Sequence, residues 1–104
     1  MTLIKTSAQK RTNPPLRSER TKSFDKDWTR LTHSGRYDMK ALKACMLLII
    51  ADAGMPPEYK NHQLKGAWSD HWECHVGGDF LLIYQLYKDS VVFTRAGTHA
   101  DLFE

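Results

Sequence analysis

The chain has 104 residues, of which 41% are hydrophobic and 26% are charged, and its formal net charge is +3. This length predicts one domain with a modest core and leaves little room for a second folded module. The mild basicity gives weak support to a polyanionic partner. The longest apolar run, within residues 44–53, is half the length of about 20 residues that a membrane helix needs. We therefore expect a cytoplasmic protein without a membrane segment.

The two cysteines, Cys45 and Cys74, do not make a disulfide framework and lack the spacing of metal ligands. Cys45 lies in an apolar helical stretch and Cys74 lies between hydrophobic neighbours, so we interpret both as reduced core residues. The charged N-terminal region contains no apolar segment of the kind found in secretory signals. These features predict a reducing compartment.

The N-terminal region differs in charge from the rest of the chain. We predict that residues 1–15 form a flexible basic arm and that residues 16–104 form a single domain. Within the first 22 positions Glu19 is the only acidic residue, and the basic residues there are Lys5, Lys10, Arg11, Arg17, Arg20 and Lys22. Residues 16–20 predict a short strand that is polar enough to belong at a sheet edge.

Two helices follow. Ser23 is the predicted N-cap of the first helix, and one face of that helix carries Phe24, Trp28 and Leu31 at helical spacing. Residues 34–35, Ser-Gly, end it. A second helix is predicted over residues 38–52, because its apolar residues share a stripe and glycine and prolines follow. We expect the two helices to form an antiparallel hairpin that covers one face of a sheet.

After residue 60 the hydrophobic pattern changes to a period of two. Over residues 72–76 the apolar side chains point to the core, and the polar set, His71, Glu73 and His75, points to solvent or to a site. A Gly-Gly turn, a central strand over residues 80–87, a hairpin turn and a strand over residues 90–98 follow, with a short tail after it. The order predicts an α+β domain in which the two-helix hairpin packs on a twisted, mainly antiparallel four-stranded sheet.

Four of the five histidines lie after residue 61, and they are His62, His71, His75 and His99. Histidine titrates near neutrality, so a pair of them can act as general base and general acid, although a single histidine in a basic protein is more often plain surface. His71 and His75 would chelate a metal on a helix, but on a strand they lie about 13 Å apart. We therefore expect no metal site.

Arg95 is the fixed cation of the last strand, and two roles are open to it. It pairs with a carboxylate such as Asp79 or Glu73, or it clamps a phosphate with its guanidinium fork. Parity puts it on the apolar face of its strand, so a bulge or strong twist near residues 96–97 is needed to aim it into a cleft. Phe103 either packs the tail onto the core or stacks on a base.

A longer series of residues resembles one family of proteins. The series reads His62-x-Leu64-x-Gly66-x-Trp68, His75-Val76, Asp79, Leu82-Ile83-Tyr84, Arg95-x-Gly97-Thr98-His99 and Leu102-Phe103. It resembles the YafQ branch of the RelE superfamily of bacterial toxins over roughly residues 16–104. Single pieces of this series are weak, but the whole series in this order is specific.

The resemblance implies a RelE-like fold and a ribosome-dependent endoribonuclease that cuts mRNA in the ribosomal A site. It also implies a type II toxin–antitoxin system, in which a cognate antitoxin holds the toxin inactive in a hetero-oligomer. The implied catalytic residues are His62, His75, Asp79 and His99. The implied substrate-binding residues are Arg95, which binds phosphate, and Phe103, which contacts a base. In the expected reaction Lys65 helps Arg95 to stabilise the charge that grows on the phosphate oxygens. No cofactor or metal is implied.

In the expected reaction the ribose 2′-OH attacks the adjacent phosphorus, with His99 as one proton-transfer partner and His75 or Asp79 as the other. His62 orients the nucleotide or joins the proton relay. Glu73 departs from the family, whose typical member has an aspartate there, and the arm has no counterpart. The alternatives are a non-catalytic toxin of the gyrase-poison type, a ribosome- or RNA-binding module and, more distantly, a metal-dependent hydrolase.

Overall fold

Three helices and a five-stranded sheet form the domain in the computed structural model, which describes residues 14–104. In chain order the elements are β1 (Arg17–Arg20), α1 (Lys22–Ser34), α2 (Met39–Ala51), β2 (His62–Gln63), β3 (Trp72–Gly77), β4 (Phe80–Leu86), β5 (Ser90–Gly97) and α3 (His99–Phe103). Short 3₁₀ turns cover Pro57–Tyr59 and Gly66–Trp68. The predicted basic arm lies, except for its last two residues, outside the described residues.

The sheet has the strand order β1-β5-β4-β3-β2, with β1 parallel to β5 and every other pair antiparallel. This confirms the predicted α+β class, the mainly antiparallel sheet and the edge position of β1. The predicted number of four strands was one too low. The additional strand, β2, has only two residues, which is too short to show a period of two in the sequence.

Both long helices cover one face of the sheet. The large core there contains the helix residues Phe24, Leu31, Leu42, Cys45 and Ile49 and the strand residues Cys74, Leu82, Tyr84, Val91 and Phe93. A smaller cluster lies on the opposite face of the sheet. It is formed by Leu81, Ile83 and Leu102, with Leu64 and Trp68 packed against it. A large apolar side chain contributes roughly 1.5–3 kcal/mol on full burial, so the helix-covered face, which has the larger core, supplies most of the stability.

The helix boundaries agree with the sequence except at the start of α1. Its N-cap is Thr21, whose hydroxyl accepts a hydrogen bond from the Phe24 N–H at 2.9 Å, so the prediction of Ser23 was wrong. Thr21 also donates its own N–H to the carbonyl of Phe93, and this contact with β5 fixes which hydroxyl caps the helix. Gly35, at φ 70°, ends α1 as predicted, and α2 lies between its caps Asp38 and Asp52.

A β-bulge interrupts β5 beside β4. Ile83 pairs with Arg95 and Tyr84 pairs with Phe93, which leaves Thr94 as an extra residue. The sequence predicted that a bulge would be needed to redirect Arg95 but placed it near residues 96–97, whereas the structure has it at Thr94. With the bulge at Thr94, Arg95 lies opposite Ile83 of the smaller cluster. Because cross-strand partners share a face, the Arg95 side chain lies on the same face of the sheet as that cluster.

The C-terminal tail forms a helix that the sequence reading missed. Thr98 caps α3 by accepting from the Asp101 N–H at 3.2 Å, while the Asp101 carboxylate accepts from the Thr98 N–H at 2.9 Å. This reciprocal capping box is visible in the sequence as Thr-x-x-Asp. Among residues 14–104, no helix is long and apolar enough to cross a membrane.

Both cysteines are buried and free, as predicted, but they also touch. The Sγ atoms of Cys45, on α2, and Cys74, on β3, are 2.9 Å apart. The hydrogen bond between them and their burial raise the pKa of Cys74 far above its usual value. This contact between two free cysteines joins α2 to β3.

Candidate active site

Two histidines and a carboxylate meet where β2 pairs with β3. His62 lies opposite Glu73 in the strand register, and Oε1 of Glu73 lies 3.4 Å from Nε2 of His62 and 3.6 Å from Nε2 of His75. The centroids of the two imidazole rings are 6.3 Å apart. The side chains alternate along β3 as predicted, so Glu73 and His75 point to the face that the long helices do not cover.

Glu73 is the member of this group that the sequence reading undervalued. It is only 3% exposed, and its Oε2 has no hydrogen-bond partner among the described residues. Alternation along the strand gives its direction correctly but does not predict its burial. A carboxylate that is desolvated in this way and touches two imidazoles is unusual in a purely structural role, since buried polar groups are normally satisfied.

The ring of His62 has a defined tautomer. Its Nδ1 lies 2.7 Å from the carbonyl oxygen of Lys60, and a carbonyl only accepts hydrogen bonds. Nδ1 therefore carries a proton, and in the neutral ring Nε2 presents a lone pair to Glu73. The contact between Nε2 of His62 and Oε1 of Glu73 is favourable only when one of these two atoms is protonated.

The second part of the site is the start of α3. The backbone N–H of His99 donates to Oδ1 of Asp79, in the turn between β3 and β4, at 3.0 Å. The ring of His99 lies against Phe103, with centroids 5.0 Å apart, and Phe103 in turn contacts Trp68 edge-on at 6.1 Å. Phe103 remains 36% exposed. Phe103 therefore packs the tail onto the domain, which was one of the two predicted roles, and it still has exposed ring surface for the other, stacking on a base.

The sheet register brings the two parts to the same end of the domain. His75 pairs with Leu81, and Leu81 pairs with Gly97, two residues before His99. Adjacent strands lie about 4.8 Å apart, so the backbones of His75 and Gly97 are separated by roughly 10 Å. The four predicted catalytic residues therefore lie around one end of β3, β4 and β5, with two linked by Glu73 and two linked by a backbone hydrogen bond.

Arg95 has a carboxylate partner, but neither of the two that the sequence suggested. Its Nε and Nη2 donate to the two oxygens of Asp27, on α1, at 2.7 and 3.1 Å. These hydrogen bonds raise the pKa of Arg95 further above its usual value, while partial burial opposes the shift. The side chain is still 28% exposed. Asp27 escaped the sequence analysis because 68 residues separate it from Arg95.

Two other candidates have simpler surroundings. Lys65 is exposed in the loop before the Gly66–Trp68 turn and forms no ion pair with a residue that the structure describes. His71 is bound to Asp70, with Nδ1 2.8 Å from Oδ1, and its ring meets Trp68 edge-on. Within residues 14–104 no three or more side chains of His, Cys, Asp or Glu are grouped so as to hold a metal ion.

Comparisons with known proteins agree with one another. Residues 16–104 match the family model described as "Bacterial toxin of type II toxin-antitoxin system, YafQ". The chain is 40% identical, over 81 residues, to the mRNA interferase toxin YafQ of Escherichia coli (strain K12), which covers 77% of this chain and 87% of that protein.

Solved structures give the same picture. The E. coli DinJ-YafQ toxin-antitoxin complex is similar with a TM-score of 0.78 and 36% identity, covering 88% of this chain and all of the other. A copper-bound mutant toxin from Helicobacter pylori has a TM-score of 0.79 and 33% identity, covering 85% of this chain and 99% of the other. The fold therefore coincides with that of these bacterial toxins.

Proposed function

Because the chain belongs to the YafQ family of toxins of type II toxin–antitoxin systems, we propose that it is an mRNA interferase, an endoribonuclease that cleaves mRNA on the ribosome without a metal ion. The observation that carries the proposal is the group of titratable side chains at one end of the sheet. His62 and His75 share Glu73 there, and Asp79 holds the start of the helix that carries His99.

The chemistry that fits this group uses a nucleophile supplied by the RNA. A base removes the proton of a ribose 2′-OH, the oxygen attacks the adjacent phosphorus, and the bond to the 5′-oxygen breaks as an acid protonates that oxygen. The products are a 2′,3′-cyclic phosphate and a 5′-hydroxyl. Each positioned acid or base contributes about 10²–10⁴-fold to such a reaction.

We assign the two proton transfers to His75 and His99. Glu73, 3.6 Å from Nε2 of His75, stabilises that ring when it carries the proton. His99 is exposed at the first turn of α3, where substrate can reach it. Asp79 acts through His99, since its Oδ1 already binds the His99 backbone N–H. His62, 3.4 Å from Glu73 on its other side, joins the proton relay.

Binding of the substrate falls to the cation and the ring at the edge of this group. Arg95 uses Nε and Nη2 for Asp27, and its remaining N–H groups are available to phosphate oxygens, which match a guanidinium fork. Lys65 adds a second positive charge from the neighbouring loop. Phe103, supported from behind by Trp68, offers a face on which a base stacks.

A cognate antitoxin is the expected protein partner. The E. coli relative has been crystallised as the DinJ-YafQ toxin-antitoxin complex, and this chain matches it over nearly its whole length. We propose that an antitoxin likewise binds this chain in a toxin–antitoxin hetero-oligomer. The ribosome is the second proposed partner, because it presents the mRNA and its RNA phosphates attract the basic surface in a salt-dependent manner.

End-mapping of an mRNA in a reconstituted translation system tests the proposal. The wild-type protein should produce codon-phased cuts with 5′-hydroxyl ends, and His99→Ala should abolish them while leaving the fold intact. His33→Ala is the matched control, because His33 is an exposed histidine in the last turn of α1 to which the mechanism assigns no role. Intact mRNA at high wild-type concentration, or normal cleavage by His99→Ala, would contradict the proposal and favour a non-catalytic toxin or a binding module.

A further inference from the structure

Asp27 is a buried carboxylate that four donors surround. It lies on α1, is 4% exposed, and accepts from Nε and Nη2 of Arg95 at 2.7 and 3.1 Å. It also accepts from Nη2 of Arg30 at 3.1 Å and from the backbone N–H of Ala96 at 3.0 Å. A carboxylate with this many hydrogen bonds holds its partners in one geometry.

The position of Asp27 is explained by where β1 ends. β1 pairs with β5 only as far as Phe93, so the outer edge of β5 beyond that residue has no strand beside it. α1 takes over this edge: the hydroxyl of Thr21 donates to the carbonyl of Thr94 at 2.8 Å, and Asp27 accepts from Ala96. The Asp27 carboxylate therefore accepts hydrogen bonds from both the backbone and the arginine side chain of the bulged segment of β5.

We propose that Asp27 is a positioning residue for RNA cleavage, which holds the guanidinium of Arg95 so that its free N–H groups face the scissile phosphate. This role presupposes the cleavage activity proposed above. An arginine side chain has four rotatable bonds, and a two-point contact with Asp27 removes most of that freedom before substrate arrives. Preorganised donors stabilise charge in a transition state better than donors that must be ordered during the reaction.

The same carboxylate is linked to the helix that carries His99. Arg30 donates from Nη2 to Asp27 at 3.1 Å and from Nη1 to Asp101 at 3.3 Å, and Asp101 is part of the capping box that starts α3. Arg30 is nearly half exposed, so these pairs add little to the free energy of unfolding. Their effect is geometric: Arg30 links Asp27, which holds Arg95, to Asp101 in the first turn of α3.

A double-mutant cycle separates positioning from a purely structural role. The variants are Asp27→Asn, Arg95→Ala, their combination, and Asp25→Asn as the control. Asp25 is an exposed aspartate on the same helix, and its ion-pair partner among the described residues is the exposed Arg20. The assay is single-turnover cleavage of ribosome-bound mRNA over a range of toxin concentrations. It gives the rate constant at saturation and the half-saturating concentration separately.

We expect Asp27→Asn to lower the saturating rate constant at least about tenfold, toward the 10²–10³-fold loss typical of removing a charge-stabilising donor, with little change in half-saturation. The double variant should be no slower than Arg95→Ala alone, and Asp25→Asn should remain within about twofold of wild type. A folded Asp27→Asn protein that cleaves at the wild-type rate, or losses that multiply in the double variant, would overturn the positioning role.

Asp27→Asn also removes a buried acceptor and could unfold the protein, so a measurement on the wild type is needed. Proton exchange at the Nε–H of Arg95, followed by NMR and assigned with Arg95→Lys, should be much slower than at Arg17, which is exposed and whose guanidinium has no hydrogen-bond partner among residues 14–104. Exchange as fast as that of Arg17 would overturn the proposal. A wild type that cleaves no mRNA would refute both the activity and the role, whereas a cleaving wild type with an unaffected Asp27→Asn refutes the role alone.

Discussion

Replacement of Glu73 by methionine should make this protein more stable and inactive at once. Oε1 of Glu73 approaches two imidazole nitrogens only to 3.4 and 3.6 Å, beyond the 2.7–3.2 Å of a good hydrogen bond, and Oε2 has no partner among the described residues. A buried polar group left unsatisfied costs about 1–3 kcal/mol. Methionine is of similar length, carries no charge and fills irregular core space well.

The free energy of unfolding should therefore rise by about 1–3 kcal/mol in Glu73→Met. In a domain of this size each kcal/mol shifts the melting midpoint by about 4–8 °C, so the change is easily measured. Urea unfolding followed by fluorescence of the three tryptophans gives the free energy, and an unchanged slope shows that the unfolding reaction is the same. Cleavage should be lost, because His62 and His75 no longer share a carboxylate.

Two further variants make this result interpretable. Glu73→Gln keeps the shape and removes the charge, so it separates the effect of charge burial from that of packing. Glu58→Met replaces an exposed glutamate and should change the free energy of unfolding by no more than about 0.5 kcal/mol. A Glu73→Met protein that is less stable than wild type would refute the reasoning, because the two histidine contacts would then outweigh the desolvation of the carboxylate.

Three other predictions concern α3 and the reaction. A Cβ atom on Gly97 would lie 2.8 Å from Oδ2 of Asp101, so Gly97→Ala should lower the free energy of unfolding by about 1–3 kcal/mol and reduce cleavage. The control is Gly77→Ala, which has open space around the new methyl group and should leave thermal unfolding nearly unchanged. Hydrogen bonds from Thr98, aided by Arg30, hold the pKa of Asp101 below its usual 3.8. Because this pKa is lower in the folded protein than in the unfolded chain, the ionised carboxylate stabilises the fold above about pH 4, and the stabilisation is lost at lower pH. Asp101→Asn should therefore lose less stability than wild type between about pH 7 and pH 3 in urea titrations. Finally, EDTA-treated toxin assayed on preformed ribosome complexes should cleave at the untreated rate, and restoration of a lost activity by added metal would contradict the acid–base mechanism.

Local sequence features were sufficient to predict most of the elements. α2 was placed correctly because Asp38 caps it and the chain beyond Asp52 contains glycine and prolines that cannot continue it. The start of α1 was misplaced because Thr21 and Ser23 are both good N-caps, and only the contact of Thr21 with β5 decides between them. β2 was missed because two residues carry no periodicity.

The site was predictable in its residue types but less so in its contacts. Periodicity placed Glu73 and His75 on one face, and the family resemblance supplied His62, Asp79 and His99. Burial of Glu73 and the pairing of Arg95 with Asp27 depend on segments that are far apart in the chain. A single sequence gives no measure of such distances, so these tertiary contacts had to come from the structure.

The sheet order has a consequence for the moment at which the protein becomes active during its own synthesis. β5 lies between β1 and β4, so β1 has no partner strand until residues 90–97 have left the ribosome. Arg95, His99 and Phe103 belong to β5 and α3, which are also translated after every other element. A nascent chain that ends before Ser90 therefore has neither a complete sheet nor the three residues that we propose to act on RNA, and the domain cannot fold completely until β5 and α3 have been made.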